Sequence, residues 1–406
     1  MRAKQNIGLF IVVMSILSCT IPFDLSPEGF DKVLVIEGSL TNEAKNHIVK
    51  ISYTYPLIGD AERSFVNDAV VIIEDQDETL TTLLSIGDGE YITAWDFQGQ
   101  VGSEYKLIVR LPGGKQYESH FQELLYSPPI DSIYDSYEEL PDTETDQNQW
   151  GIQFFLDTHD DTGNAKFFRY EWIETYKIEV PFPSTYYVEN EEILPRSESV
   201  GICYSSDSSN NILISTAVNN SQNRISEFPL RFIFQSEQQL RSRYSILAKQ
   251  YALSETSYHF YRALKENNES VGSLSDKQTG PIVGNMMNID DPGEVVLGHF
   301  EVSGVSEKRV FFSNDDFDNR FAPAQFNYRC IYSDAIVFDI PTTIDYFTSP
   351  ELFIQRIGFD FNPFYQIGFI IETSNPAAAD SVYLYPNTCT SCDWYARSTP
   401  PSFWEE

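Results

Sequence analysis

The sequence predicts a mainly β protein: an N-terminal β-sandwich followed by a larger β-rich domain with one short helix near residues 254–267. Three observations carry that reading. Aromatic residues make up 14% of the 406-residue chain, with 24 Tyr and 29 Phe, and such residues favour strands over helices. Short apolar runs alternate with polar residues, and turns rich in Gly, Pro and Asp separate them. A helical period opened by a capping residue is found once, after Ser254.

The chain starts with Arg2 and Lys4, then an apolar run from Ile7 to Leu17, then Ser18-Cys19. A basic start, a short apolar run and a small residue before cysteine form the pattern of a lipoprotein signal. The run is too short for the roughly 20 residues that span a bilayer, and its length suits a signal-peptide core. Residues 1–18 are therefore expected to be removed and Cys19 to carry lipid; an ordinary cleaved signal with an incidental cysteine is the alternative. Residues 19–31, with Pro22, Pro27, Gly29 and three acids after the cysteine, read as a linker.

Residues 32–126 read as the N-terminal sandwich. Val33–Leu40, Asn46–Tyr55 and Ala69–Glu74 are strands. Leu83–Ile86 and Glu90–Thr93 flank Gly87-Asp88-Gly89, the Asp-Gly signal that primed hairpin turns favour. Tyr105–Arg110 and Gln116–Phe121 flank Pro112-Gly113-Gly114 as a second hairpin. Strands this short and this regular imply a β-sandwich of the immunoglobulin or prealbumin kind. Ser127-Pro128-Pro129 is the expected boundary, because consecutive prolines hold the chain extended.

Residues 127–406 read as the larger β-rich domain. Gly151–Asp157 and Lys166–Ile173 are expected to pair as a hairpin across Thr158–Asn164, whose acids miss the spacing of a calcium loop and read as a solvated turn. Residues 181–226 read as loop-rich. Ser242–Leu253 fits a helix face or a strand, and strand is preferred because Ser254 begins a fresh helix bearing Tyr258, Tyr261 and Leu264. Val295–Val302 and Lys308–Phe312 read as two paired strands, followed by an acidic turn over Asn314–Asn319. Tyr328–Phe338, Leu352–Phe359 and Gln366–Glu372 are further strand candidates. The tail from Cys389 to Trp404 is irregular, and its cysteines and Trp394 suggest that it is pinned.

The net charge is −33, and loss of Arg2 and Lys4 would make it −35. Such a surface repels phosphate backbones, which excludes nucleic acid as a partner. If Cys19 is lipidated, Cys203, Cys330, Cys389 and Cys392 remain, an even set that suits structural disulfides in an exported protein. Three connectivities are open. A zinc site would need a second paired cluster beside Cys389–Cys392, and a redox role would need a thioredoxin-like βαβ unit; neither is present in the sequence.

Catalytic signals are missing. The five histidines, His47, His120, His159, His259 and His299, form no paired zinc motif. There is no G-x-S-x-G elbow, phosphate loop or dinucleotide fingerprint. No catalytic, metal or cofactor residue is expected, and the chain reads as a non-enzyme. Tyr134, Tyr137, Tyr186 and Tyr187 fall beside acidic loops and are possible binding aromatics, though core packing is their commoner use.

Several phrases occur together in order: Cys19-Thr20-Ile21-Pro22-Phe23, Leu34–Leu40, Ala69–Ile72, Gly102–Leu107, Pro129–Ile133, Ser257–Leu264, Gly284–Asn288, Val296–Phe300, and the end from Cys389 to Trp404. On these the chain resembles the Bacteroidetes lipoproteins that share the domain of unknown function DUF4249. His299 departs from that pattern, where an aromatic is usual. The resemblance implies location and company: the outer membrane, and TonB-dependent receptors as neighbours. It implies no catalytic residues.

Together these give the functional expectation. The chain should be a lipid-anchored outer-membrane protein at the cell surface, carrying palmitate on Cys19. It should bind an unknown nutrient ligand as an accessory of a TonB-dependent transporter. A structural or adhesive envelope module is the alternative, and a hydrolase using carboxylates a third.

Overall fold

A computed structural model of the chain describes residues 32–55, 64–142, 147–184, 186–189, 192–220, 222–269, 282–323, 336–339, 368–370, 381–385, 387–393 and 395–406. The expected signal, the linker, Cys19, Cys330 and Trp394 lie outside these residues, as do the strand candidate at 352–359 and all but residues 336–338 of the candidate at 328–338. Among the described residues, no helix is long and apolar enough to cross a membrane.

The protein is mainly β, as its composition predicts. The first strands are β1 (Leu34–Thr41), β2 (Ile48–Tyr53), β3 (Ser64–Phe65), β4 (Val70–Asp75), β5 (Leu80–Thr82), β6 (Leu84–Gly87) and β7 (Glu90–Ile92). They are followed by β8 (Glu104–Arg110), β9 (Gln116–Ser119), β10 (Gln122–Glu123), β11 (Ile130–Asp142), β12 (Gln147–His159) and β13 (Phe167–Glu179). Then come β14 (Tyr186–Glu189), β15 (Glu192–Pro195), β16 (Ile202–Ser208), β17 (Leu213–Thr216), β18 (Arg224–Phe234) and β19 (Tyr244–Leu253). Helix α1 (Glu255–Glu269) leads into β20 (Met286–Asn288), β21 (Val296–Leu297) and β22 (Phe300–Phe312). The last strands are β23 (Ile336–Asp339), β24 (Gly368–Ile370) and β25 (Ser381–Tyr385).

The N-terminal strands form two facing sheets. In one, β1 pairs antiparallel with β2, and β7 and β6 extend it; in the other, the order is β20-β9-β8-β4-β5. Alternate residues point inward because successive side chains of a strand leave on opposite faces. Ile36, Leu40, Val49 and Ile51 from the first sheet meet Val71, Ile73, Leu107 and Val109 from the second, all essentially buried. Each such side chain contributes about 1.5–3 kcal/mol by leaving water. The Asp88-Gly89 turn has both residues at positive φ, +50° and +74°, the conformation a primed two-residue hairpin requires.

Residues 32–126 do not close this core alone. Met286, Val296, Phe300 and Val302 complete it, and β20 pairs with β9. The first four residues of β22 run parallel to β1, from Gly38↔Phe300 to Thr41↔Ser303. The rest of β22 runs antiparallel to β19, from Ala252↔Gly304 to Tyr244↔Phe312. One sheet of eleven strands therefore passes from the N-terminal body into the following one, with path β16-β13-β19-β22-β1-β2-β7-β6. Gly298 makes the entry into β22 feasible: its φ is +87°, and a Cβ there would stand 2.1 Å from the Ile36 carbonyl oxygen.

The second core lies between this large sheet and the three-stranded sheet β11-β12-β18. Phe154 of β12 stacks on Tyr244 of β19 at 5.1 Å and packs on Phe312 of β22 at 5.0 Å. The expected hairpin of 151–157 with 166–173 does not form. β12 pairs with β11 and β18, whereas β13 pairs with β16, β17 and β19. The buried Asp160 carboxylate accepts from the Thr162 and Ala165 N–H groups and turns the chain across to the other sheet. The 181–226 segment, expected as loop, contributes β14 to β17 and the start of β18. The two strands expected at 295–302 and 308–312 are one continuous β22, with only Val296–Leu297 separate.

Ser254 caps α1 as expected, its Oγ accepting from the Ser257 N–H at 3.2 Å. The helix lies on the large sheet, with Tyr258 against Phe167 at 4.8 Å. The C-terminal tail is pinned. Cys203 and Cys392 are disulfide-bonded across 189 residues, and Cys389 is disulfide-bonded as well. Tyr204 and Arg397 exchange two backbone hydrogen bonds. Trp404 packs edge-on to Tyr204, and Arg309 lies 3.6 Å over the Phe403 ring.

Candidate functional site

A cleft of about 800 Å³ opens at one end of the N-terminal sandwich. Its floor comes from the start of β1 (Leu34) and the end of β2 (Tyr53), and its walls from Phe65, Val66 and Tyr117. The turn between β8 and β9 forms one lip. Pro112-Gly113-Gly114 is closed by hydrogen bonds between Leu111 and Lys115 and from Gly114 N–H to the Leu111 carbonyl, with Gly114 at φ +90°. Glu294 and Val295 also line the cleft, brought against this turn from a part of the chain 179 residues beyond Lys115.

Glu294 is the polar centre. Lys115 Nζ lies 3.0 Å from both carboxylate oxygens, and the Tyr117 hydroxyl donates to one of them at 3.1 Å. The Asn288 amide donates to the other, while its own carbonyl oxygen accepts from Asp290 and Asp291 N–H and shapes the turn. Burial acts to raise the Glu294 pKa, but these hydrogen bonds outweigh it and hold the group below the usual carboxylate range. Burial, and then the Glu294 charge, push the Tyr117 hydroxyl above its ordinary value. Glu294 is therefore held as an anion, and Lys32, Lys115, Asp68 and aromatic side chains line the cleft beside it. Among the described residues, those lining the cleft include no histidine, cysteine or serine. Such a cleft can hold and orient a polar organic ligand by stacking and charge.

A second, polar notch of about 220 Å³ lies at the opposite end of β4 and β8. Its Asp75 is already used, accepting from Asp77 and Thr79 N–H.

One buried pair has the form of a nucleophile and base. Ser257 Oγ and His299 Nε2 are 2.9 Å apart. Both are sealed from solvent, with Phe260 stacked on the imidazole at 4.6 Å. Ser257 also reaches Gln122, which donates to the Phe300 carbonyl oxygen. Burial lowers the His299 pKa to about 4, so the ring is a neutral packing element where the helix meets β22.

The residues singled out from sequence scatter. Tyr134 stacks on Phe155 on one face of the three-stranded sheet, and Tyr137 stacks on Trp150 on the other, so the two do not converge. The side chains of Tyr186 and Tyr187 lie outside the described residues. Of the four cysteines expected in disulfides, Cys203 pairs with Cys392. Among the described residues no group of three His, Cys, Asp or Glu side chains is placed to hold a metal. The cleft residues carry no motif; only the Gly113-Gly114 turn beside Lys115 and Tyr117 was visible as a local signal.

Among curated proteins, no match to the chain was found. A family model does match, over residues 20–309. That span runs from the position after Cys19 into β22 and so takes in the N-terminal strands, every described residue that lines the cleft and the part of β22 that pairs with β1. The chain belongs to the family described as a domain of unknown function, DUF4249.

Proposed function

We propose that this chain is a lipid-anchored outer-membrane binding protein that works as an accessory of a TonB-dependent transporter in nutrient capture. The observation that carries the reading is the position of the cleft. Lys32, which lines it, lies only thirteen residues after Cys19. Thirteen residues reach at most roughly 45 Å when fully extended. A ligand held there would stay near the membrane in which the transporter sits. The fixed Glu294–Lys115 pair and aromatic walls suit recognition of a polar, charged small molecule or peptide end.

The test combines anchor and partner. Wild-type chain and Cys19→Ala are expressed with a tag in the native host and extracted in mild detergent. The wild type should incorporate labelled palmitate and co-purify an outer-membrane barrel; Cys19→Ala should do neither. Palmitate on the variant would refute the anchor, and absence of any barrel with the wild type would refute the accessory role.

A further inference from the structure

Among the described residues, the two N-terminal sheets share one unpaired flank: β5 ends the six-stranded sheet and pairs only with β4, while β6 ends the eleven-stranded sheet and pairs only with β7. Leu83 between them is buried, its N–H donating to the Val71 carbonyl oxygen at 2.9 Å. It anchors a strand that switches sheets, so the free edges of both sheets run consecutively along one side.

That edge is unusually apolar. Leu80, Leu84 and Ile86 are 57%, 69% and 54% exposed. Leu84 lies opposite Ile92, and Ile92 opposite the half-exposed Ile48. Directly opposed residues share a face, so the three make an apolar row across β6, β7 and β2. A register shift between Ser85 and Gly87 leaves Ile86 unpaired, and Trp95, just past β7, is 75% exposed. From Leu80 to Gly87 there is no charged residue and no proline. Exposed edges are ordinarily blunted by lysine or proline, and contiguous exposed apolar surface marks interaction sites. Acids bracket the stretch instead: Asp75, Asp77 and Glu78 before it, Asp88 and Glu90 after it, with Glu90 shared with Lys50 at 3.0 Å.

We infer that Leu80–Gly87 is a docking edge for an extended segment of another protein, apolar at alternate positions and basic at both ends. Strand addition would satisfy the free backbone groups of β6 and seat alternate side chains on the Leu84–Ile92–Ile48 row. The acidic brackets select the ends of the incoming strand. A second copy is the wrong occupant: it would bring acidic brackets together, and each chain carries a net charge of −33. This site is separate from the cleft and does not depend on what the cleft binds.

The probe is an eleven-residue synthetic peptide of alternating valine and threonine with two lysines at each end. A control peptide carries glutamates in place of the lysines. Binding is read by fluorescence anisotropy, and the site by hydrogen–deuterium exchange on the full chain. The basic peptide should bind and protect amides within 80–87, and the acidic peptide should not bind. Leu84→Ser with Ile86→Ser, both exposed and neutral, should weaken binding at least tenfold while leaving net charge unchanged. The inference is overturned if the basic peptide fails to bind, binds the double variant equally, or protects other segments. It is also overturned if the wild-type chain self-associates and the double variant does not, since the edge would then serve a second copy.

Discussion

The Arg169 guanidinium of β13 meets the fully buried Glu301 carboxylate of β22 through two hydrogen bonds of 3.1 Å, one to each oxygen. Tyr251 and Tyr261 lie against the guanidinium at 4.0 and 5.1 Å, and Ser303 donates to Glu301 at 2.6 Å. The pair ties β13, β22 and α1 together where the N-terminal body meets the second core. Burial would raise the Glu301 pKa, but the Arg169 charge and the hydrogen bonds of Arg169, Ser303 and Tyr261 outweigh it and hold it low. Its contribution is therefore present above the usual carboxylate range and is lost as pH falls below it.

Arg169→Met should cost about 3–5 kcal/mol, because it strands a buried carboxylate. Adding Glu301→Leu to that variant should restore much of the loss, since no fully buried charge is then left uncompensated; Glu171, which Arg169 also meets, is partly exposed. Urea unfolding of wild type, both single variants and the double variant checks this; additive losses would show that the two side chains are not coupled.

His299 gives the protein an acid-side sensitivity of its own. Burial holds the folded ring near a pKa of about 4, against 6.5 when unfolded. The unfolded chain thus binds a proton that the folded chain refuses, so stability rises from about pH 4 to 6.5 and falls in the reverse direction. His47, also lowered by burial, acts in the same sense. His299→Phe keeps the stack on Phe260 and removes the titration. Between pH 7 and 4.5 the variant should lose about 2 kcal/mol less than the wild type, measured by urea titration at each pH. Parallel losses would show that His299 does not titrate this way.

The Cys203–Cys392 bond closes a loop of 189 residues. Its removal in Cys203→Ala with Cys392→Ala should lower stability by about 2–4 kcal/mol. It should also raise hydrogen exchange of the tail backbone at Arg397, which pairs with Tyr204. Peptide mapping of the unreduced wild type should recover the two cysteine peptides joined. Finding both as free thiols would remove the basis of this prediction.

Much of the strand pattern was legible because alternation is local. Val49 and Ile51 against Lys50, Asp88-Gly89 at positive φ, and the Ser254 cap are each properties of a few neighbouring residues. Reading β22 as two strands failed for an identifiable reason. The polar residues between the two expected strands stay in β22 because Ser306 and Lys308 give their side chains to the crossing segment, and Lys249 lies 3.6 Å from Glu307. Ser306 Oγ donates to the Pro128 carbonyl oxygen at 2.7 Å, and Lys308 Nζ donates to the Ile130 and Asp131 carbonyl oxygens. The misread hairpin at 151–173 has a similar cause, because a turn-forming Asp160 serves a crossover as well as it serves a hairpin.

By itself, then, the sequence determined that the chain is mainly β, where most of the N-terminal strands lie and where the helix begins. Those follow from side-chain alternation and from one capping hydroxyl. Only the tertiary structure decided that β22 is shared by both cores, that Glu294 closes a cleft with Lys115 and Tyr117, and that the uncharged 80–87 stretch is an outer edge. Each of these depends on pairing between residues far apart in sequence, where hydrogen-bond partners and burial exist only once the sheets have assembled.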